Sequence, residues 1–474
     1  MLGHLVRKEV LDQLLSLRFL ILTAIGASLI WFSLADGYAA YQEQLKNYRT
    51  GQLSLDERYS QLRDPRASLS EYSAMGYVLH KPPTPLSVLV RGMEPTLGQA
   101  IHAIGTSNVR MKRSPSEVGP LTGLFPSTDL GTVVQVVLSL FVLLFTYDAV
   151  CGEKQAGTLR LMGSFSVPRY RLLLAKLVGA AIPLMAAFGI PLLLGLSMLL
   201  LLPGFELAGP QWGRLALILV VFGGYLAVFL FAGILASSLT HSPGTSFVLL
   251  LVYWVVSVTL FPRLGLVLAD TLRPAMSIHE LQAQKEALRS EVLKQRRLKL
   301  DQWEREHLGW DTDPEIRKAR DAASNRFLRE GWTEFGPSWR RLSETFNNRY
   351  QTRMQLLLVL GELSPTLALK RATFGLAGTG PEREQRFLRA FWQHMGLRSR
   401  WYRQAAARIS QGQADPDRRG ANRWHADDMP RFVYQEEWPS EQLLAVILDA
   451  GRLCLWSLLF FAGAYFSMVR YDIR

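Results

Sequence analysis

Six stretches of this sequence run for about 18 residues or more with few or no charges, and they dominate what the chain can fold into. They lie at 19–35, 130–147, 172–202, 213–239, 245–262 and 443–469. At about 1.5 Å rise per residue, each is long enough as a helix to cross a hydrocarbon core about 30 Å thick. A water-soluble chain would instead spread its apolar residues at helix or strand period. A helix also satisfies its own backbone polar groups, which lipid cannot do. The pattern therefore predicts an all-α membrane protein with six transmembrane helices.

Residues 1–18 alternate Leu5, Val10, Leu14, Leu15 and Leu17 with Arg7, Lys8, Glu9 and Asp12. This suits an amphipathic helix lying in the membrane interface. A basic start and the small residues Ala35, Ala39 and Ala40 would also fit a cleavable signal peptide. The length of the first run, its Trp31 and Phe32, and the amphipathic helix before it favour an uncleaved anchor. Proline inside the third run, at Pro183 and Pro191, is tolerable where neighbouring helices re-satisfy the freed carbonyls. Gly213, Gly223, Gly224 and Gly233 in the fourth run would allow close helix approach.

Two polar regions interrupt the spans. The first, 36–129, is mixed and carries the Pro-rich KPPTPL at 81–86. The second, 264–440, reads as one large, mainly helical domain. Its segment 278–308 has strong helix formers throughout and no Gly or Pro, with Ile278, Leu281, Leu288, Val292 and Trp303 as a thin apolar stripe. A second helical stretch follows at about 315–360. The net charge of +13 fits orientation and anionic lipid headgroups better than nucleic acid, since no recognisable nucleic-acid fold accompanies it. With both termini cytoplasmic, the short inner segments hold Arg7, Lys8, Arg18, Lys154, Arg160, Arg169, Arg171, Lys176, Arg470 and Arg474, whereas 203–212 has no Lys or Arg. Both polar regions then fall outside the cytoplasm.

Chemistry-bearing groups are sparse. A phosphate-cradling G-x-x-x-x-G-K-[ST] loop is absent, so ATP, if used, must be bound with Mg2+ by another polypeptide, leaving no cofactor and no enzyme activity for this chain. The HADD at 425–428 sits in an Arg-rich stretch and reads as a solvated surface. The two cysteines offer no disulfide framework to the polar regions. The eight His are dispersed and Met75, Met93 and Met111 lie far apart, so no metal site is read. Asp449 and Arg452, three residues apart in the last run, are candidate intramembrane polar residues; they fit mutual pairing or a place on a substrate path. Asp148 and Arg214 lie at span ends, where snorkelling is the ordinary account.

The most informative segment is 148–171, DAVCGEKQAGTLRLMGSFSVPRYR, held between the second and third runs. A short helix clamped between two spans is a lever that a partner can push. Its residues Gly152, Glu153, Lys154, Gly157, Thr158, Leu159 and Arg160, then Ser164, Arg169 and Lys176, resemble the loop after the second span of the ABC-2 class of ABC permeases. One departure is Pro168, which directly precedes Arg169. LSPTLALKRATFGLAGTG at 363–380 and the terminal RYDIR are similar to a subgroup with large outer insertions, often labelled as multicopper-enzyme-maturation permeases. The resemblance implies that 152–164 is a coupling helix docking on a cytoplasmic ABC ATPase. It further implies a second copy of the chain or a homologous permease, with spans one, two and five at that interface, in a bacterial plasma membrane. The implied activity is ATP-driven export, with lipid contact, room for an outer partner and no nucleic acid. Movement of the outer domain without transport is the alternative.

Overall fold

The computed structural model describes residues 2–62, 76–95, 100–104, 108–112, 129–158, 168–272, 278–307, 313–361, 364–410, 429–434 and 440–470. Among them, six helices are long and apolar enough to cross a membrane. The chain is an all-α membrane protein carrying one small sheet.

The amphipathic segment forms α1 (Leu2–Leu14), and α2 (Leu17–Leu62) follows it. Helix α2 does not stop at Ala35, where the apolar run ends. No proline interrupts 36–62, and its later residues find a core of their own at Leu55 and Tyr59. The second run forms α3, residues 130–146, capped by Asp129, whose Oδ1 accepts from the Thr132 amide at 2.8 Å. Within α3, Val133–Leu138 is wound as π-helix before α-helical geometry resumes at Ser139–Thr146.

A short α4 (Cys151–Gln155) precedes α5 (Arg169–Leu201), which keeps Pro183 and Pro191 inside it. The Pro191 carbonyl accepts from Trp31 Nε1 at 2.9 Å, so α2 ties to α5 across the membrane region. Helix α6 (Gly209–Leu239) is deeply packed, with Tyr225, Val228 and Phe229 fully buried. The fifth run forms α7 (Pro243–Trp254), capped by Ser242, and continues through a second π-helical stretch, Val255–Leu260, into α8 (Phe261–Leu272).

Two compact units emerge: Met1–Val258 with Pro365–Arg474, and Thr259–Ser364. The second unit contains α8, α9 (Ile278–Glu306) and α10 (Pro314–Gly361). Helices α9 and α10 pack along a narrow stripe around Leu281, Val292 and Ala323, flanked by the Arg320–Glu304 pair at 2.6 Å and the Lys299–Glu330 pair at 3.0 Å. The expected single domain over 264–440 is therefore divided. Residues from Pro365 onward belong with the spans, because α11 (Pro365–Ala377) packs its buried Ala368, Leu369, Ala372 and Leu376 on α6 and α13 (Ser440–Arg470). Sequence gives no local sign of this, since both partner helices lie far along the chain, one before α11 and one after it.

Helix α12 (Pro381–Ser410) joins the far end of α2 and a three-stranded antiparallel sheet: β1 (Gly76–His80), β2 (Ala100–Ile104) and β3 (Asn108–Lys112), in that order. His80 pairs with Ala100, and Ile104 with Asn108. Leu55, Leu79, Ile101, Phe387, Phe391 and Met395 make this second core. Phe391 is fully buried, and its truncation to alanine would cost about 3–5 kcal/mol.

Candidate coupling site

The segment singled out in the sequence is anchored at its start by hydroxyls on α6. Ser237 Oγ accepts from the amides of Val150 and Cys151 at 2.9 and 3.0 Å, satisfying donors that the start of α4 leaves unpaired. Lys154 Nζ donates to the carbonyls of Ser238 and Thr240 where α6 ends. Ser467 Oγ donates to the same Ser238 carbonyl at 2.9 Å, bringing in the end of α13. Arg169 Nη1 donates to the Met468 and Val469 carbonyls at 2.7 and 2.5 Å, a cation on helix-terminal oxygens. Gly157 ends α4 with φ of 75°, in the left-handed region that glycine enters without strain.

Lys176 on α5 is the centre of the arrangement. Its side chain is 1% exposed. Nζ lies 2.7 Å from Glu153 Oε2 of α4, a charge contact outside aligned hydrogen-bond geometry, and 3.3 Å from Glu9 Oε1 of α1, to which it donates. A buried ammonium of this kind is tolerated only when paired. The close approach of α1 depends on Gly179, one turn on, where any Cβ would overlap Glu9 Cβ. One cation thus holds the N-terminal helix and α4 against the same span. A second tie, Arg18 to Asp148 at 2.9 Å, links the start of α2 to the end of α3 at an exposed position. Asp148 therefore has a specific partner beyond span-end snorkelling.

Of the predicted coupling residues, Glu153, Lys154, Gly157 and Arg169 take part in this network. Thr158 Oγ1 reaches the Glu153 carbonyl at 3.4 Å, and Gly152 has ordinary room around it. Leu159, Arg160 and Ser164 lie outside the described residues. Sequence reasoning missed Glu9 as a partner and Ser237 and Ser238 as anchors. An acid at a fixed place in the amphipathic start was the one available signal, and the serines carried none.

A family model described as ABC-2 family transporter protein matches residues 4–372, more than half of the chain. The chain belongs to that family. No curated protein matches it. The matched range takes in α1, α4, Lys176 and the first five spans of this ABC-2 membrane component.

The candidate intramembrane pair is also resolved. Asp449, fully buried on α13, accepts from Arg452 Nη1 at 2.6 Å, so the two residues do pair. They do not pair alone: Arg371 of α11 grips the same carboxylate with Nε at 2.8 Å and with Nη2. Arg371 stands inside the 363–380 segment that the sequence singled out, but nothing local marks its partner. Among the described residues, no three His, Cys, Asp or Glu side chains cluster as metal ligands. HADD at 425–428 and the terminal 471–474 lie outside the described residues.

Proposed function

We propose that this chain is the permease subunit of an ATP-driven exporter, with ATP and Mg2+ bound by a separate cytoplasmic ABC ATPase. The observation carrying this reading is the buried Lys176, which ties α1 and α4 to one span. A push on either element is delivered to α5 as a unit, because parting a buried charge from its partners is costly. Lys154 and Arg169 carry the same displacement to the ends of α6 and α13. The subunit works with a second copy or a homologous permease, in a bacterial plasma membrane, with both termini and the 152–164 lever in the cytoplasm.

Glu153→Ala combined with Gly157→Pro tests the reading. The variant is expected to insert normally and to lose co-purification with the ABC ATPase that the parent chain captures; undiminished co-purification rejects the coupling role of the loop. A second reading is favoured by the separate unit Thr259–Ser364: ATP hydrolysis moves that unit and nothing crosses the membrane. ATP-dependent solute movement in inverted vesicles separates the two.

A further inference from the structure

Helix α12 carries a face that its own core does not use. Phe387, Phe391 and Met395 are buried in the second core, and the opposite side of the helix is open. There Arg389, Trp392, Gly396, Arg400 and Arg403 recur at steps of three and four residues, so they form one stripe along the helix, with Leu397 beside it. Trp392 is 57% exposed and Leu397 50%. Arg389 and Arg400 have no ion-pair partner among the described residues. Arg403 Nε donates to the Ser399 carbonyl of its own helix at 3.4 Å.

The charge on this stripe is of one sign. From Gln385 to Ser410 the helix has six arginines and no Asp, Glu or Lys. Its two acids stand in the first turn, and Glu384 is held by Lys81 at 3.0 Å. Solvated helix faces elsewhere in the chain mix their signs: Arg289 sits beside Glu286 on α9, and Arg326 beside Glu330 on α10. Uncompensated arginine next to an exposed tryptophan is instead the composition of a docking surface, and the arginine fork matches a carboxylate.

Gly396 lies in the middle of the stripe. Glycine there weakens the helix, yet the fold does not require it: its φ is not positive, and an added Cβ would meet nothing within 4 Å. The missing side chain leaves a notch between Trp392 and Arg400, where another chain can approach the helix backbone closely.

Distance and charge exclude two occupants. The core on which α12 packs includes Leu55 and Tyr59 of α2, 20 and 24 residues past the end of the apolar run at Ala35. That is about 30 Å or more along the helix, whereas the field of a charged lipid surface is screened within about 8–10 Å. A second copy meeting like face to like face would set arginine against arginine. A polyanion without apolar groups would leave Trp392 and Leu397 unmatched.

We propose that the exposed face of α12 is a docking site for an acidic, amphipathic polypeptide segment on the side of the membrane opposite α1 and α4. The carboxylates of that segment meet Arg389, Arg400 and Arg403, and one of its apolar side chains enters the notch at Gly396.

The test uses the full-length chain in nanodiscs of zwitterionic lipid. The probe is a fluorescein-labelled helical peptide of three Leu-Glu-Glu-Leu-Ala-Glu-Ala repeats, titrated by anisotropy. Arg389→Glu combined with Arg400→Glu is expected to weaken binding about tenfold or more. Gly396→Leu is expected to weaken it about five-fold while the thermal midpoint stays equal or rises, since leucine is the better helix former. All three positions are exposed, so the core beneath them is untouched. Polyglutamate of equal charge should bind at least about five-fold more weakly than the peptide. Parent affinity in either variant overturns the docking site, and polyglutamate binding as tightly as the peptide overturns the amphipathic partner. A tenfold gain in affinity on Asp415→Asn, Asp417→Asn, Asp427→Asn and Asp428→Asn together would give the face to this chain's own segment and overturn it too. A spin label at Gln393→Cys, with Cys454→Ser, reads the remaining occupant: relaxation by nickel-chelating lipid headgroups would place the face on the membrane and reject the proposal.

Discussion

Two of the buried ionic hubs among the described residues are inverses of each other. At one end of the spans a single cation, Lys176, sits between two carboxylates drawn from α1 and α4. At the other, a single carboxylate, Asp449, sits between two guanidiniums drawn from α11 and from its own helix. Arg169 places the start of α5 beside Met468, and Met468 follows Asp449 by 19 residues, roughly 29 Å along a helix. The partners explain the difference. Lys176 joins two separate elements to one span, the arrangement that the proposed lever requires. Asp449 cements α11 to α13 with a bidentate clamp, so it fixes one surface of the span bundle. The same chemistry, buried charge with paired neighbours, gathers three elements at one end and two at the other.

The Asp449 hub is the more costly of the two to break. Asp449→Ala removes the acceptor shared by Arg371 and Arg452. The expected loss is about 3 kcal/mol, the low end for removing one partner of a buried pair, because the guanidiniums keep 29% and 25% of their surface open. Thermal unfolding in detergent, read as a lower midpoint and a smaller folded yield, measures it. A midpoint unchanged from the parent would show that α11 is held by its apolar face alone.

Lys176→Met should cost less, roughly 2 kcal/mol, because methionine keeps the apolar bulk of the lysine stem, whereas alanine at 449 leaves a void beside the orphaned charges. The contrast sharpens in the triple variant Lys176→Met, Glu9→Gln, Glu153→Gln. With no charge left to bury, stability is expected to return close to the parent while coupling between α1 and α4 stays lost. Thermal midpoints and partner ATPase activity, read on the same samples, separate the two effects. Recovery of coupling in the triple variant would mean that packing at Gly179, not charge, joins the elements.

Each hub was legible only in part: Asp449 and Arg452 could be read as a pair from their three-residue spacing, whereas Glu153 and Lys176 stood out as members of one segment without their contact, and Glu9 did not stand out at all. The six apolar runs fix the spans, since only a helix can carry so many consecutive apolar residues through lipid. The glycine at 157 is legible too, because a short helix that must stop calls for a residue able to adopt positive φ. Arg371 was not readable as the partner of Asp449, because 78 residues and a helix lie between them and neither carries a periodic signal. The extension of α2 past Ala35 failed to show for a related reason. Residues 36–62 are polar enough to resemble a loop, and only Leu55 and Tyr59 packing against β1, β2 and α12 reveals their helix as structural. The π-helical stretches leave no pattern at all, since Val133–Leu138 and Val255–Leu260 read as ordinary apolar sequence.

A third buried group, smaller in effect, distinguishes the extramembrane core from both hubs. His394 on α12 is 5% exposed, its ring meets Phe432 edge-on at 5.4 Å, and its Nε2 has no hydrogen-bond partner among the described residues. Burial first, and the Arg398 guanidinium one turn away second, push its pKa down to about 4 from 6.5. The unfolded chain therefore binds a proton that the folded core refuses between those two values. The stability tied to neutral His394 is whole above pH 6.5, drains as pH falls from 6.5 toward 4, and falls no further below 4. A fully sealed site would correspond to about 3 kcal/mol, and local opening to water trims this to roughly 1–2 kcal/mol. Protease cleavage within 381–410 should accordingly rise several-fold between pH 7 and pH 4.5. His394→Phe should flatten that dependence. If His394→Phe keeps the full pH dependence, this imidazole is not its source.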